Sequence, residues 1–164
     1  MDTIQKSENN SPQIPLPAPE LDRLNVFVGS WHSEGYSYNH LSDDIPHASA
    51  QKWISDESYE WMPDKYFLVH RWDATVGEHN FKGLEIIGYD VARKEYFTRM
   101  FDNGGNAIKY RVTVEDDTWK FTEPFTRTTV VFSDGGNVMT FKCEWRQERG
   151  NWLPLSNRKA VKNN

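Results

Sequence analysis

The sequence predicts an all-β protein: a single closed antiparallel barrel of about ten strands behind one short helix. Three observations lead there. The apolar period changes from three-to-four to two near residue 30. From there to residue 162, turn-forming clusters divide the chain at hairpin intervals. No later stretch carries a helical pattern long enough to bridge parallel strands, so a parallel α/β sheet is not expected.

The helix comes first. Leu21, Leu24 and Phe27 or Val28 recur at three-to-four spacing, and Glu20 and Asp22 sit in the first turn, where they suit the helix dipole. Gly29 is placed to end it. The strand candidates then run 30–38, 48–59, 65–75, 80–89, 95–101, 106–114, 118–122, 125–133, 137–146 and 153–162. Good breakers separate the later ones: Val76-Gly77-Glu78, Asp102-Asn103-Gly104-Gly105, Glu115-Asp116-Asp117, Ser133-Asp134-Gly135-Gly136 and Arg149-Gly150-Asn151. Hairpin-length connections imply a meander. An open sheet of this width would leave two unpaired edges, and closure removes them. Met139, Phe141, Cys143 and Trp145 form one apolar row, with Thr140, Lys142, Glu144 and Arg146 opposite, as a barrel wall requires. Cys143 reads as a small core hydrophobe within that row. A barrel of this size encloses more volume than its side chains fill, so a pocket is expected.

Composition excludes several classes. Nineteen Lys plus Arg stand against 24 Asp plus Glu in 164 residues, for a net charge of −5, and no basic block argues for nucleic acid. No apolar run approaches the roughly 18–20 residues of a membrane-spanning helix. The single cysteine excludes an intramolecular disulfide framework and a multi-cysteine zinc site. The first twenty residues hold Pro12, Pro15, Pro17 and Pro19 and no apolar core, which reads as a flexible leader over 1–19 before a barrel domain over 20–162. A free thiol and no signal segment make the cytoplasm the expected location.

Gly29-Ser30-Trp31, directly after the helix, resembles the opening of the lipocalin-like, or calycin, barrels. The wider run 27–35, the block Lys82–Asp90 and Asp102-Asn103-Gly104-Gly105 together resemble DUF1579, a family of unknown function. The resemblance spans roughly residues 20–162 and implies a ligand-holding lipocalin-like barrel. In such folds Trp31 would lie across the closed end, with an arginine packed on its ring; Arg158, on the last strand, is the candidate. The nitrobindin barrels are more distantly similar and bind haem through a late histidine. Here the last histidine is His79, and Ser33 replaces a glycine of that opening, so no cofactor is expected.

One hairpin can be registered from its turn. A two-residue loop with Gly first is the type II′ signature, so Gly77-Glu78 pairs Val76 with His79. The pairs continue Ala74–Phe81, Trp72–Gly83, His70–Glu85, Leu68–Ile87 and Tyr66–Tyr89. Opposed residues share a face. The face with four aromatic rings beside His70 is assigned to the interior, which makes Tyr66, Leu68, His70, Trp72, Glu85, Ile87 and Tyr89 ligand contacts. Thr98, Tyr110 and Phe141 join them from later strands. No metal ligands are expected: His32, His40 and His47 read as exposed, and Asp43-Asp44 and Asp116-Asp117 as solvated turns. Trp61 and Trp152, at strand ends, either gate the pocket or cap the core.

Three functions follow. The first is binding of a small, largely apolar molecule inside the barrel. The second is a cofactor-free isomerase, lyase or hydrolase, with His70 as general base, Glu85 orienting it, and Tyr110 as acid or oxyanion donor. The third is an interaction protein, such as a homodimer formed through an exposed strand or aromatic patch.

Overall fold

The computed structural model describes residues 15–38 and 50–163. His40, His47, Asp43-Asp44 and leader residues 1–14 lie outside them. A 3-10 helix over Pro19–Val26 precedes ten strands. They are β1 (Gly29–Ser37), β2 (Gln51–Trp61), β3 (Leu68–Val76), β4 (His79–Asp90), β5 (Glu95–Asp102), β6 (Ala107–Glu115), β7 (Thr118–Thr122), β8 (Thr126–Ser133), β9 (Val138–Trp145) and β10 (Leu153–Lys162). Each strand pairs with its neighbour in sequence, and β1 pairs antiparallel with β10, closing the barrel. Closure removes the free sheet edge through which strand-to-strand dimerisation would proceed. Among the described residues no helix is long and apolar enough to cross a membrane.

The helix is of the 3-10 type, and the sequence explains it. Leu21, Leu24 and Phe27 are spaced by three, so they align where a turn holds three residues, and Pro19 fixes the start. All three are buried. They plug one end of the barrel: the Phe27 ring meets Trp119 and Phe132 edge-on at 5.1 and 4.9 Å. The Trp31 indole donates to the Phe27 carbonyl at 2.8 Å, and the Tyr96 hydroxyl donates to the Glu20 carbonyl at 2.6 Å. Trp31 lies fully buried at the closed end. Trp61 ends β2 there too, its indole donating to Asn25 at 2.9 Å, which makes it a cap.

The β3–β4 turn behaves as its sequence requires. Gly77 has φ 60° while Glu78 stays out of the left-handed region, and Val76 pairs with His79. The register then runs through Trp72–Gly83 and His70–Glu85 to Leu68–Ile87. It stops before Tyr66, because Pro63–Lys65 forms a 3-10 turn with Asp64 and Lys65 at positive φ. The strand predicted over 65–75 therefore begins at Leu68. Two glycines allow close approach. A Cβ on Gly83 would lie 1.9 Å from Trp72 Cζ2, so the room opposite Trp72 is filled by the indole itself. A Cβ on Gly35 would lie 2.1 Å from the Asn157 carbonyl across the β1–β10 seam. Near the far end of that seam, the register of β10 shifts between Pro154 and Ser156, a bulge at the residue pair where Pro154 can donate no ladder bond.

Candidate functional site

Each strand crosses from the plugged end to the opposite mouth, and its inner side chains alternate with outer ones. The lower inner positions fill the plug. The upper ones surround a cavity of about 510 Å³, within the usual range for a small-molecule site. Its wall is mostly rings and aliphatic groups, among them Trp53, Trp72, Phe81, Phe141 and Ile108. A connected group of charged side chains comes from β2, β3, β4 and β10, while Asp102, Tyr110, Thr126 and Thr128 add polar groups from other strands.

His70 is the centre of that connected group. Its Nδ1 lies 3.2 Å from Glu85 Oε2, as the hairpin register predicts, and its Nε2 lies 2.9 Å from Glu57 Oε2. Two carboxylates on two ring nitrogens leave no acceptor role for either nitrogen, so the ring holds both protons, an assignment made from its partners. Burial pulls the His70 pKa down, but the hydrogen bonds to Glu57 and Glu85 outweigh it and the net direction is up. Tyr59 stacks flat on the imidazole, centroids 4.0 Å apart and planes 5° from parallel. Glu57 is buried completely. Its Oε1 accepts from Ser55 Oγ at 2.7 Å and from the Arg158 guanidinium. Burial alone would raise this carboxyl; Arg158 and His70 overcome that and bring it to about 2. Arg158 in turn lies against two rings, its Cζ 4.1 Å from the Phe141 centroid and 4.8 Å from that of Trp53. The result is a chain of alternating charge, Arg158–Glu57–His70–Glu85, facing the cavity through His70, Glu85 and Arg158.

The sequence-predicted site residues divide by height along the barrel. His70, Trp72, Glu85, Tyr110 and Phe141 line the cavity. Leu68 and Ile87 point inward but lie fully buried in the plug. Thr98 is fully buried away from the cavity, its hydroxyl without a partner. Tyr89 is near the helix, donating to Glu20 at 3.3 Å. Tyr66 is off the strand, and its hydroxyl donates to the Pro15 carbonyl. Alternation along a strand sets inside from outside; it carries no information about which inner positions the helix fills. Burial pushes the Tyr110 phenol up to about 12, which makes it a hydrogen-bond donor that keeps its proton.

Other placements differ from expectation. Arg158 is not under Trp31; Lys162, paired with Trp31 across the seam, puts its Nζ 4.9 Å from that ring. Arg158 pairs with Gly35, four residues along β1 from Trp31 and nearer the mouth. Cys143 is half-buried and lines the cavity, its Sγ accepting from Thr128 Oγ1 at 3.2 Å. Trp152 is held between the guanidiniums of Arg127 and Arg146, at 4.4 and 4.6 Å. His32 faces outward against Asp56 at 2.8 Å, opposite to Trp31 as alternation requires.

Glu57 escaped sequence reasoning. The available signal was parity: Ser55, Glu57 and Tyr59 alternate on one face of β2, and all three are buried. A glutamate between a serine and a tyrosine on an inward row requires a cationic partner.

Several solved structures are similar to this chain. The crystal structure of Rv2717c from M. tuberculosis matches with a TM-score of 0.61 and 12% identity, covering 90% of this chain and 99% of that one. The S-type phycobiliprotein lyase CPES from Guillardia theta matches with a TM-score of 0.54 and 12% identity, covering 87% and 92%. Zebrafish ileal bile acid-binding protein complexed with cholic acid matches at 0.45 and 15% identity, covering 84% and 99%. At these identities the first two show a common fold. No curated protein sequence matches. The family profile of DUF1579, described as a protein of unknown function, matches residues 16–151. That span includes the helix plug, Trp31 and the whole His70–Glu85 hairpin, and the chain belongs to the DUF1579 family.

Proposed function

We propose that this protein binds a small, largely apolar molecule in the barrel cavity. The observation that carries the reading is a cavity of about 510 Å³ walled largely by aromatic and aliphatic side chains, with a few polar groups set among them. A site built only for stability would fill such a volume, since each unfilled methyl-sized space costs about 1 kcal/mol. The free thiol of Cys143 suits a reducing compartment, and we assign the protein to the cytoplasm.

Native mass spectrometry of freshly purified protein tests the proposal. The expected spectrum shows the chain carrying an extra small-molecule mass that is lost on denaturation. A spectrum at the bare chain mass, together with no uptake of an apolar dye such as 1-aminoanthracene, would contradict it.

The cofactor-free enzyme draws support from one observation: His70 and Glu85 stand together on the cavity wall. Both imidazole nitrogens face carboxylates, however, and a general base needs a free lone pair. The binding reading needs no such vacancy, and we hold to it.

A further inference from the structure

We propose that the cavity selects a neutral or cationic amphiphile whose polar end donates a hydrogen bond to Glu85, and that it rejects carboxylates. The proposal rests on the barrel being a binding site and adds the head-group chemistry.

Three features point the same way. First, the cations on the wall already have anions. Arg158 engages Glu57, and His70 engages both Glu57 and Glu85. Asp102 lines the cavity near the mouth and stays ionised: burial opposes its charge, but hydrogen bonds from Asn106 and Gly104 hold its pKa below the ordinary value. Inside the barrel two cations thus stand against two carboxylates, and Asp102 adds a solvated negative charge at the mouth. A ligand carboxylate would enter with no uncompensated cation to meet it, whereas an ammonium would be drawn to Glu85.

Second, Arg158 is already engaged by Glu57 and by two rings. Phe141 and Trp53 bracket its guanidinium at 4.1 and 4.8 Å. Its Nε–H is buried and without a partner. A carboxylate accepting that N–H would bring its charge close to Glu57, while an uncharged oxygen would not.

Third, an acceptor is on offer. Glu85 Oε2 is taken by His70, but Oε1 has no partner among the described residues, and the side chain is 12% exposed, into the cavity. An unmet carboxylate oxygen in an apolar wall calls for a donor, and hydrogen bonds to charged groups are among the stronger ones.

Isothermal titration of the full chain at pH 7 with three probes of one ring body separates the cases: 2-naphthol, 2-naphthylmethylamine and 2-naphthoic acid. We expect the amine and the alcohol to bind about ten-fold or more tightly than the acid, the size of one charge-assisted hydrogen bond. Glu85→Gln, checked for an intact barrel by circular dichroism, should cut the amine's advantage to about three-fold or less. An acid that binds as tightly as the amine overturns the head-group proposal and leaves the cavity as a binding site. An amine preference that survives Glu85→Gln also overturns it. Failure of all three probes to bind removes the binding reading, and this proposal with it.

Discussion

Glu57→Gln is expected to lower the unfolding free energy by roughly 3–5 kcal/mol, the cost of leaving a buried partner charge uncompensated. Glu57 is fully enclosed and accepts from Ser55, His70 and Arg158 together. The amide keeps the shape and removes the charge, so Arg158, 12% exposed, and the His70 imidazolium lose their common anion. Urea unfolding followed by tryptophan fluorescence measures it. The double variant Glu57→Gln with Arg158→Met should recover much of the loss, since removing both members of a buried pair is far milder than removing one. A single-variant loss below about 1 kcal/mol would mean that the pair is solvated, contrary to the structure.

The same cluster sets a pH window. Glu57 falls from an ordinary 4.5 to about 2 on folding. Its stabilisation is present above the unfolded value and is lost as pH drops from near 4.5 towards 2. His70 rises above its ordinary 6.5 on folding. Its stabilisation is complete below 6.5 and fades as pH climbs through the folded value. Stability should therefore be greatest between about pH 4.5 and 6.5, falling on both sides. In Glu57→Gln the acid limb should flatten.

Gly35→Ala is the second large effect, at about 3 kcal/mol or more, because backbone cannot yield as a side chain can. The added Cβ would meet Asn157 O at 2.1 Å and Arg158 Cα at 2.5 Å. Those atoms belong to β10, so the strain falls on the seam that closes the barrel. Amide hydrogen exchange should accelerate first in β1 and β10 while β3–β5 remain protected. Unchanged exchange along the seam would show that β1 does not pack there. Gly35→Ser should behave like Gly35→Ala, since the clash begins at Cβ.

Much of the frame was legible in the sequence because it depends on short-range rules. Turn residues at hairpin spacing fixed the meander, and Gly77-Glu78 alone was enough to pair His70 with Glu85. The meeting of Glu57 with His70 was not legible, because β2 and β3 are joined by a 3-10 turn at Pro63–Lys65 rather than a two-residue hairpin. No register could be counted through it, so the pairing of Tyr59 with His70 stayed hidden. Arg158 was placed under Trp31 for a related reason. Knowing that the last strand closes on the first gives the partners but not the offset, and Lys162 rather than Arg158 sits opposite the indole. Leu68 and Ile87 show the third limit. Their inward direction follows from alternation, but their burial in the plug depends on the 3-10 helix, which is remote in sequence.

We propose that the upper half of this barrel is a hollow that takes a ligand beside Glu85. A crystal structure grown with 6-bromo-2-naphthol tests it most directly, since bromine gives an anomalous signal at one position. The predicted result is a bromine peak inside the barrel, the naphthol oxygen within hydrogen-bond distance of Glu85, and Trp53, Trp72 and Phe141 around the rings. Density showing those three side chains collapsed together into a solid interior, with bromine only on the outer surface, would contradict the account.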